Sequence, residues 1–322
     1  MLKRMSIRKI MVSSLALFAL LLLYLIPDNS DRELKIDNSN VEYVYDNTVE
    51  SIYLLDSNDY VARTSIATCN CDSINVAREL ISGLTLDGGK SSIIPNGFKP
   101  IIPAGTSILD IKLEDNILFI DFSSELMDIK NDYEEKMIES LIYTLTSVDG
   151  IDKVKIQVEG KDLNKLPHSG KILPTVLDKS YGINKKFEIT SLKDIDSYTV
   201  YYVSSYNDNK YYVPVTRYIN NKGDNDKIKI IVDELAAAPI YETNLMSYLN
   251  GGTELLDYKL EDGILKLNFN NSILDDIASN NILEEVIYTI SLSVQDLYSD
   301  VQEVDFLVEN EEIYKNLKKS IE

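Results

Sequence analysis

Residues 103–123, PAGTSILDIKLEDNILFIDFS, return as residues 250–270, NGGTELLDYKLEDGILKLNFN, at a constant offset of 147 with 11 identities in 21 ungapped positions. In both copies apolar residues alternate on either side of a two-residue break, Asp115-Asn116 in the first and Asp262-Gly263 in the second. Alternation with period two places one face of a strand in a core, and Asp-Gly or Asn at a two-residue break fits the type I′ turn that joins antiparallel strands. A β-hairpin is therefore predicted twice. Outward from it the repetition continues: IYTLT (142–146) matches IYTIS (287–291), VKIQVEG (154–160) matches VDFLVEN (304–310), and YVARTS (60–65) matches YVPVTR (212–217). Glu79-Leu80 likewise corresponds to Glu234-Leu235. The offset drifts by a few residues, as loops of unequal length require. Units of this size can each hold a core, so the pattern is a duplicated domain and not an array of short repeats.

Around the repeated hairpin, the remaining elements follow from composition and period. SIYLL with YVARTS, and TVYYV with YYVPVT, are β-branched and aromatic runs that predict a first hairpin in each unit. Ile74, Ala77, Ile81 and Leu84 recur at helical spacing after Asp72 and Ser73, as do Ile228, Ile231, Val232 and Leu235 before Pro239. A second amphipathic helix is predicted over Met137, Ile138, Leu141, Ile142 and Leu145, and its counterpart over Leu283, Val286, Ile287 and Ile290. A last strand closes each unit. The order ββαββαβ implies an α+β fold, two duplicated domains that are each a mostly antiparallel sheet with two helices. The expected bounds are 50–160 and 197–310, with an ordered connection at 161–196 and a short helix or tail at 311–322.

The N-terminus is of a different kind. Lys3, Arg4, Arg8 and Lys9 precede Ile10 to Ile26, IMVSSLALFALLLLYLI, which has no charge and ends at Pro27-Asp28. At ~1.5 Å per residue this run reaches about 26 Å, enough for a hydrocarbon core when flanking Lys and Arg snorkel. Small residues suited to cleavage are missing after it, and no Cys near its end could carry a lipid, so an uncleaved transmembrane helix is expected over a signal peptide. The basic flank keeps the N-terminus inside and the rest outside the cytoplasm. Residues 1–26 would be flank and anchor, and the polar residues 27–49 a tether. The net charge is −20, and because residues 1–26 contribute four basic groups and no acid, the remainder carries −24. Phosphate neutralisation needs basic patches, so no nucleic-acid partner is expected.

Few residues suggest chemistry. The single His, His168, lies in the Pro-containing connection and builds no triad or HExxH arrangement. Cys69 and Cys71 have no counterpart in the second unit; free thiols, a local disulfide and a metal ligand pair are the alternatives, the first being the simplest. LDGGKSS (86–92) follows a helix, and its glycines are misplaced for a phosphate loop. Glu79 and Glu234, at equivalent places, are most simply solvated helix-face acids. No cofactor, metal or catalytic residue is expected. The tyrosines Tyr201, Tyr202, Tyr206, Tyr211 and Tyr212 form the most distinctive cluster. Neighbours in a strand face opposite ways, so one of each pair, Tyr201 or Tyr202 and Tyr211 or Tyr212, should leave the core and offer an aromatic surface to sugar or protein.

GTSILDIKLEDNILFIDFSSEL (105–126), VKIQVEG, YYVPVTRYI (211–219) and DELAAAP (233–239) resemble the GerM sporulation and germination domain, across both units. These motifs are fold residues and mark no active site. The resemblance implies a protein anchored outside the cytoplasmic membrane of an endospore-forming bacterium, in the cell envelope or the space between the membranes of the developing spore. It implies a role in sporulation or germination; the absence of a catalytic constellation and the symmetric duplication add the expectation that this role is exercised without catalysis, by binding other envelope proteins or peptidoglycan. A glycan receptor and a carboxylate-dependent wall hydrolase are the alternatives.

Overall fold

The computed structural model describes residues 47–318 except 221–225, 238–243, 277–279 and 299. The expected anchor, and the tether up to residue 46, lie outside the described residues. No helix among the described residues is long and apolar enough to cross a membrane.

Local signals produce the elements in the expected order. β1 (Asn47–Leu55) and β2 (Val61–Cys69) form the first hairpin, so strand begins three residues before the expected bound of 50. Asp72 then caps α1 (Ser73–Leu84), its carboxylate accepting from the Asn75 N–H at 3.1 Å. β3 (Ile108–Glu114) and β4 (Ile117–Phe122) turn at Asp115 (φ 48°) and Asn116 (φ 59°), the two positive φ values of a type I′ turn. α2 (Glu134–Leu145), β5 (Lys153–Val158) and the short β6 (Lys161–Asp162) follow. The connection adds β7 (Lys186–Glu188). The second unit repeats the order with β8 (Ile195–Tyr206), β9 (Asn209–Asn220), α3 (Lys227–Ala236), β10 (Leu255–Glu261), β11 (Ile264–Phe269), α4 (Glu284–Leu297) and β12 (Glu303–Val308).

The fold is α+β, but its sheets are mixed and differ from the expected single antiparallel sheet per unit. The second hairpin of each unit joins the last strand in a four-stranded sheet, β3-β4-β5-β6 or β10-β11-β12 followed by a further strand, in which β4 with β5 and β11 with β12 run parallel. The cause is the crossover: the helix returns the chain to the end where the previous strand began, which forces a parallel pair. Residues 311–318, expected as helix or tail, are strand β13 (Glu311–Lys318), reached through a tight turn at Glu309 (φ 49°) and Asn310 (φ 71°).

The first hairpins leave their own units' sheets and join each other. Their order is β1-β2-β9-β8, β2 meeting β9 antiparallel at Arg63 and Tyr212, with β7 parallel on β9 beyond the end of that contact. Where β2 and β9 diverge, the side chain of Asn184 fills the gap. Its amide donates to the carbonyls of Val61 at 2.8 Å and Pro214 at 2.7 Å, and its oxygen accepts from the Val61 N–H at 3.0 Å. Equivalent tyrosines of the outer strands, Tyr53 and Tyr201, 148 residues apart, reach across so that their hydroxyls meet at 3.0 Å. The described residues of both repeats accordingly belong to one compact unit.

Helices cover this shared sheet on both faces. Ile52 and Ile66 lie against Gly83 of α1, while Tyr53, pointing the other way, packs edge-on against Tyr143 of α2 with ring centres 5.4 Å apart. Ile52 is fully buried and Tyr53 nearly so. The connection is bound onto α2. The Glu134 carboxylate accepts the His168 and Ser169 N–H groups, each at 2.9 Å, and Lys185 lies between Glu135 (2.5 Å) and Glu139 (3.1 Å) over the Tyr181 ring.

Candidate functional site

The tyrosine hairpin alternates as strand geometry demands, yet no tyrosine of the two pairs is freely exposed, because both faces of the sheet are covered. Tyr201 is 1% exposed, and its hydroxyl meets that of Tyr53. Tyr202, half-buried on the opposite face, donates to Glu234 of α3 at 2.8 Å. Tyr211 is buried, accepts from Ser204 at 3.1 Å and donates to the buried Asp56 at 2.9 Å. Burial pushes the Tyr211 phenol up to about 12, and also raises the Tyr202 phenol, with Glu234 adding to the latter. All three are structural in this arrangement. Tyr212 differs: half-buried, it lies 5.6 Å from the Tyr288 ring of α4, and both rings line an open groove.

This groove is the candidate site that the tyrosine hairpin borders. It has a volume of about 460 Å³ and lies where β2, β9 and the start of α4 converge. Arg63, Thr64 and Ser65 come from β2, Tyr211 and Tyr212 from β9, and Glu284, Glu285 and Tyr288 from α4. Lys210 binds Glu285 at its margin. Arg63 lies opposite Tyr53 in the β1–β2 register and opposite Tyr212 in the β2–β9 contact, so it projects from the same face as both. Behind it, on the same face, a second and smaller cavity of about 60 Å³ is lined by Ser51, Tyr53, Ser147, Tyr201, Gln295 and Asp296, with Arg63 in the wall of both. Lys179 pairs there with Asp296 at 2.5 Å. Burial alone would lower the Lys179 ammonium, but Asp296 beside it leaves the group raised. The cavity is large and polar enough to be wet.

Of the two tyrosine pairs, Tyr211 and Tyr212 both border this open groove, Tyr211 buried and bonded to Asp56 and Tyr212 half-buried beside Tyr288. Arg63 and Tyr288 escaped sequence reasoning. Arg63 had a local signal, a cation amid the strand residues YVARTS; Tyr288 had none beyond its place in the repeated IYT motif.

The other singled-out residues are structural. Glu79 and Glu234 are not simple solvated acids. Glu79 accepts from the Cys69 N–H at 2.9 Å and pairs with Lys90 at 3.0 Å, whereas Glu234 binds Arg217 and Tyr202. Each thereby ties its helix to the first hairpin of its unit. Cys69 and Cys71 are joined in a disulfide with Cα atoms 5.3 Å apart, the alternative to free thiols. His168 is hydrogen-bonded locally, its Nε2 lying 2.6 Å from the Ile129 carbonyl. Residues 86–92 form a loop with a short 3-10 turn at Ser91–Ile93.

Comparison with known proteins agrees with this architecture. Residues 43–164 and 199–314 each match the Germane family, described as sporulation and spore germination. The spore germination protein GerM of Bacillus subtilis is 32% identical over 281 residues, covering 85% of this chain and 75% of the relative. The solved structure of the tandem GerMN domains of the sporulation protein GerM from Bacillus subtilis superposes with a TM-score of 0.74 at 30% identity, covering 82% of this chain and 92% of that one. Two matched copies that between them span most of the sequence, arranged as in a solved tandem relative, place this chain in the Germane family of sporulation and spore germination proteins.

Proposed function

We propose that the chain is a non-enzymatic protein of sporulation and germination, held at the cell membrane by residues 10–26 and working outside the cytoplasm by binding other envelope proteins or the wall. Family membership supplies the process. The observation that carries the mode of action is the open groove between the two repeats, where Tyr212 and Tyr288 present amphipathic rings of the kind that anchor partners. The charge of −24 beyond residue 26 suits a basic or cation-bridged partner, with association that weakens as salt rises.

The test is capture from membranes of sporulating cells by the full chain in detergent. Tyr212→Ala should lose most of the captured partner while keeping the wild-type unfolding midpoint within about 1 kcal/mol, because a half-exposed ring contributes modestly to the core. Undiminished capture by Tyr212→Ala would remove the groove from the mechanism. Release of reducing ends from purified spore peptidoglycan would overturn the non-enzymatic reading. Accessibility of residues 47–318 to protease on intact protoplasts checks the topology, and a soluble form starting near Asp28 would refute the anchor.

A further inference from the structure

Two arginines are buried in the shared sheet, and they are treated differently. Arg217, 6% exposed, is held by two carboxylates, Glu188 and Glu234. Arg63, 8% exposed, has no carboxylate partner among the described residues, its hydrogen bond being to the neutral Ser51 hydroxyl at 2.7 Å. The carboxylate in the cavity behind it, Asp296, is taken by Lys179. The Arg63 guanidinium has five N–H donors, and apart from the bond to Ser51 none of its nitrogens is sealed from solvent without a partner, so the remaining donors are open to a ligand. Arg63 moreover lines the open groove, so a molecule arriving from solvent can reach it.

We propose that Arg63 is the floor of a carboxylate-binding site in the groove between β2, β9 and α4. This rests on the binding role above and names the ligand chemistry. A planar carboxylate matches the guanidinium fork, which can donate two parallel hydrogen bonds. The Ser65 side chain, two residues along the same strand and also lining the groove, projects from the same face as Arg63. Tyr212 and Tyr288 would flank the group that carries the carboxylate. Glu284 at the margin, beside a Glu285 already paired with Lys210, selects against multiply charged anions such as phosphate, and favours a carboxylate on a neutral or basic carrier. That restriction reconciles a cationic floor with the negative charge of the whole chain.

The test is calorimetric titration of the full chain in detergent with N-acetylglycine, a small carboxylate, against its uncharged analogue N-acetylglycinamide, with sodium chloride and inorganic phosphate as controls. Saturable binding of the carboxylate is expected, with the amide weaker by about tenfold or more, the amount expected for one charge-assisted bidentate contact. Arg63→Met should abolish that binding while leaving the unliganded unfolding midpoint unchanged or raised, since it removes a guanidinium that has no carboxylate partner among the described residues; a purely structural arginine would show a lowered midpoint. Arg63→Lys, which keeps the charge without the fork, should bind more weakly than wild type. Absence of saturable binding by wild type, equal binding of the amide, or equal binding of chloride, which would make the site an adventitious ion only, each overturns the proposal. These measurements do not involve Tyr212 or the partner, so the site can fail while capture survives, and the reverse.

Discussion

Glu134 shows how much one side chain can organise. It is 2% exposed, and its carboxylate receives the backbone N–H groups of His168 and Ser169, fixing the connection between the repeats onto α2. Burial pushes this carboxyl upward, but the hydrogen bonds from Ser169 and His168 outweigh it and hold the group below its ordinary range. A carboxylate whose folded pKa is depressed contributes stability that is present above the unfolded value and lost as pH falls through the folded one. Glu134→Ala should cost about 2 kcal/mol at neutral pH, two buried donors losing a charged acceptor. Glu134→Gln should cost less and flatten the loss of stability on acidification below about pH 4.5. Urea midpoints measured between neutral and acid pH check both; an unchanged acid limb in Glu134→Gln would show that other carboxylates carry it. The Cys69–Cys71 disulfide closes a very short loop, so its reduction should lower stability by only about 1–2 kcal/mol, readable as a small shift of the urea midpoint under dithiol.

The elements differ in how openly they are written. The hairpin β10–β11 is legible because everything that specifies it is local: alternating apolar residues flank Asp262 and Gly263, at φ 51° and 80°. Gly263→Val should cost about 1 kcal/mol or more through the positive φ alone, and an added Cβ would also approach the Asp300 carbonyl at 3.4 Å. Asn116→Gly in the equivalent turn should be neutral or mildly stabilising; thermal melts of the two variants compare the turns directly. The parallel pairing of β11 with β12 is less legible, because helix α4 separates the strands and only the crossover rule, not a residue pattern, sets their direction. Least legible is the meeting of β2 with β9. It rests on the Arg63–Tyr212 register and on Asn184, a residue of the connection, bridging Val61 and Pro214; a side chain acting between strands so distant in sequence leaves no period to detect. That junction also explains the tyrosine hairpin. Alternation correctly predicts that Tyr201 and Tyr202 diverge, but whether a strand face meets solvent depends on which helices cover it. Arg63 became conspicuous only once the carboxylates around Arg217 could be compared with the hydroxyl beside it.

At the scale of the whole molecule, sequence duplication has not produced two independent bodies. The first hairpins share one sheet, the hydroxyls of Tyr53 and Tyr201 meet within it, and Lys179 of the connection binds Asp296 of the second repeat beneath the Tyr143 ring of the first. Lys179 Nζ lies 5.6 Å from the centre of that ring, so one ammonium contacts both repeats at once. Separating the repeats would expose the middle of the sheet and break this pair, and urea should therefore unfold both in a single transition. Asp296 is 4% exposed at its side chain, and Lys179→Met would leave that carboxylate buried without its cation. The expected cost is about 3 kcal/mol, with the single transition preserved. Combining Lys179→Met with Asp296→Leu should recover part of the loss, because the second change removes the stranded charge. Local probes decide the matter: fluorophores placed on the exposed strand turns at Asn116 and Asp262 report the two repeats separately. Coincident midpoints that move together in Lys179→Met support a single cooperative body. Midpoints that separate, with only the probe at Asp262 responding, would mean that the shared sheet transmits little between the repeats, and that the groove at Arg63 and Tyr212 is a contact between neighbours free to move apart.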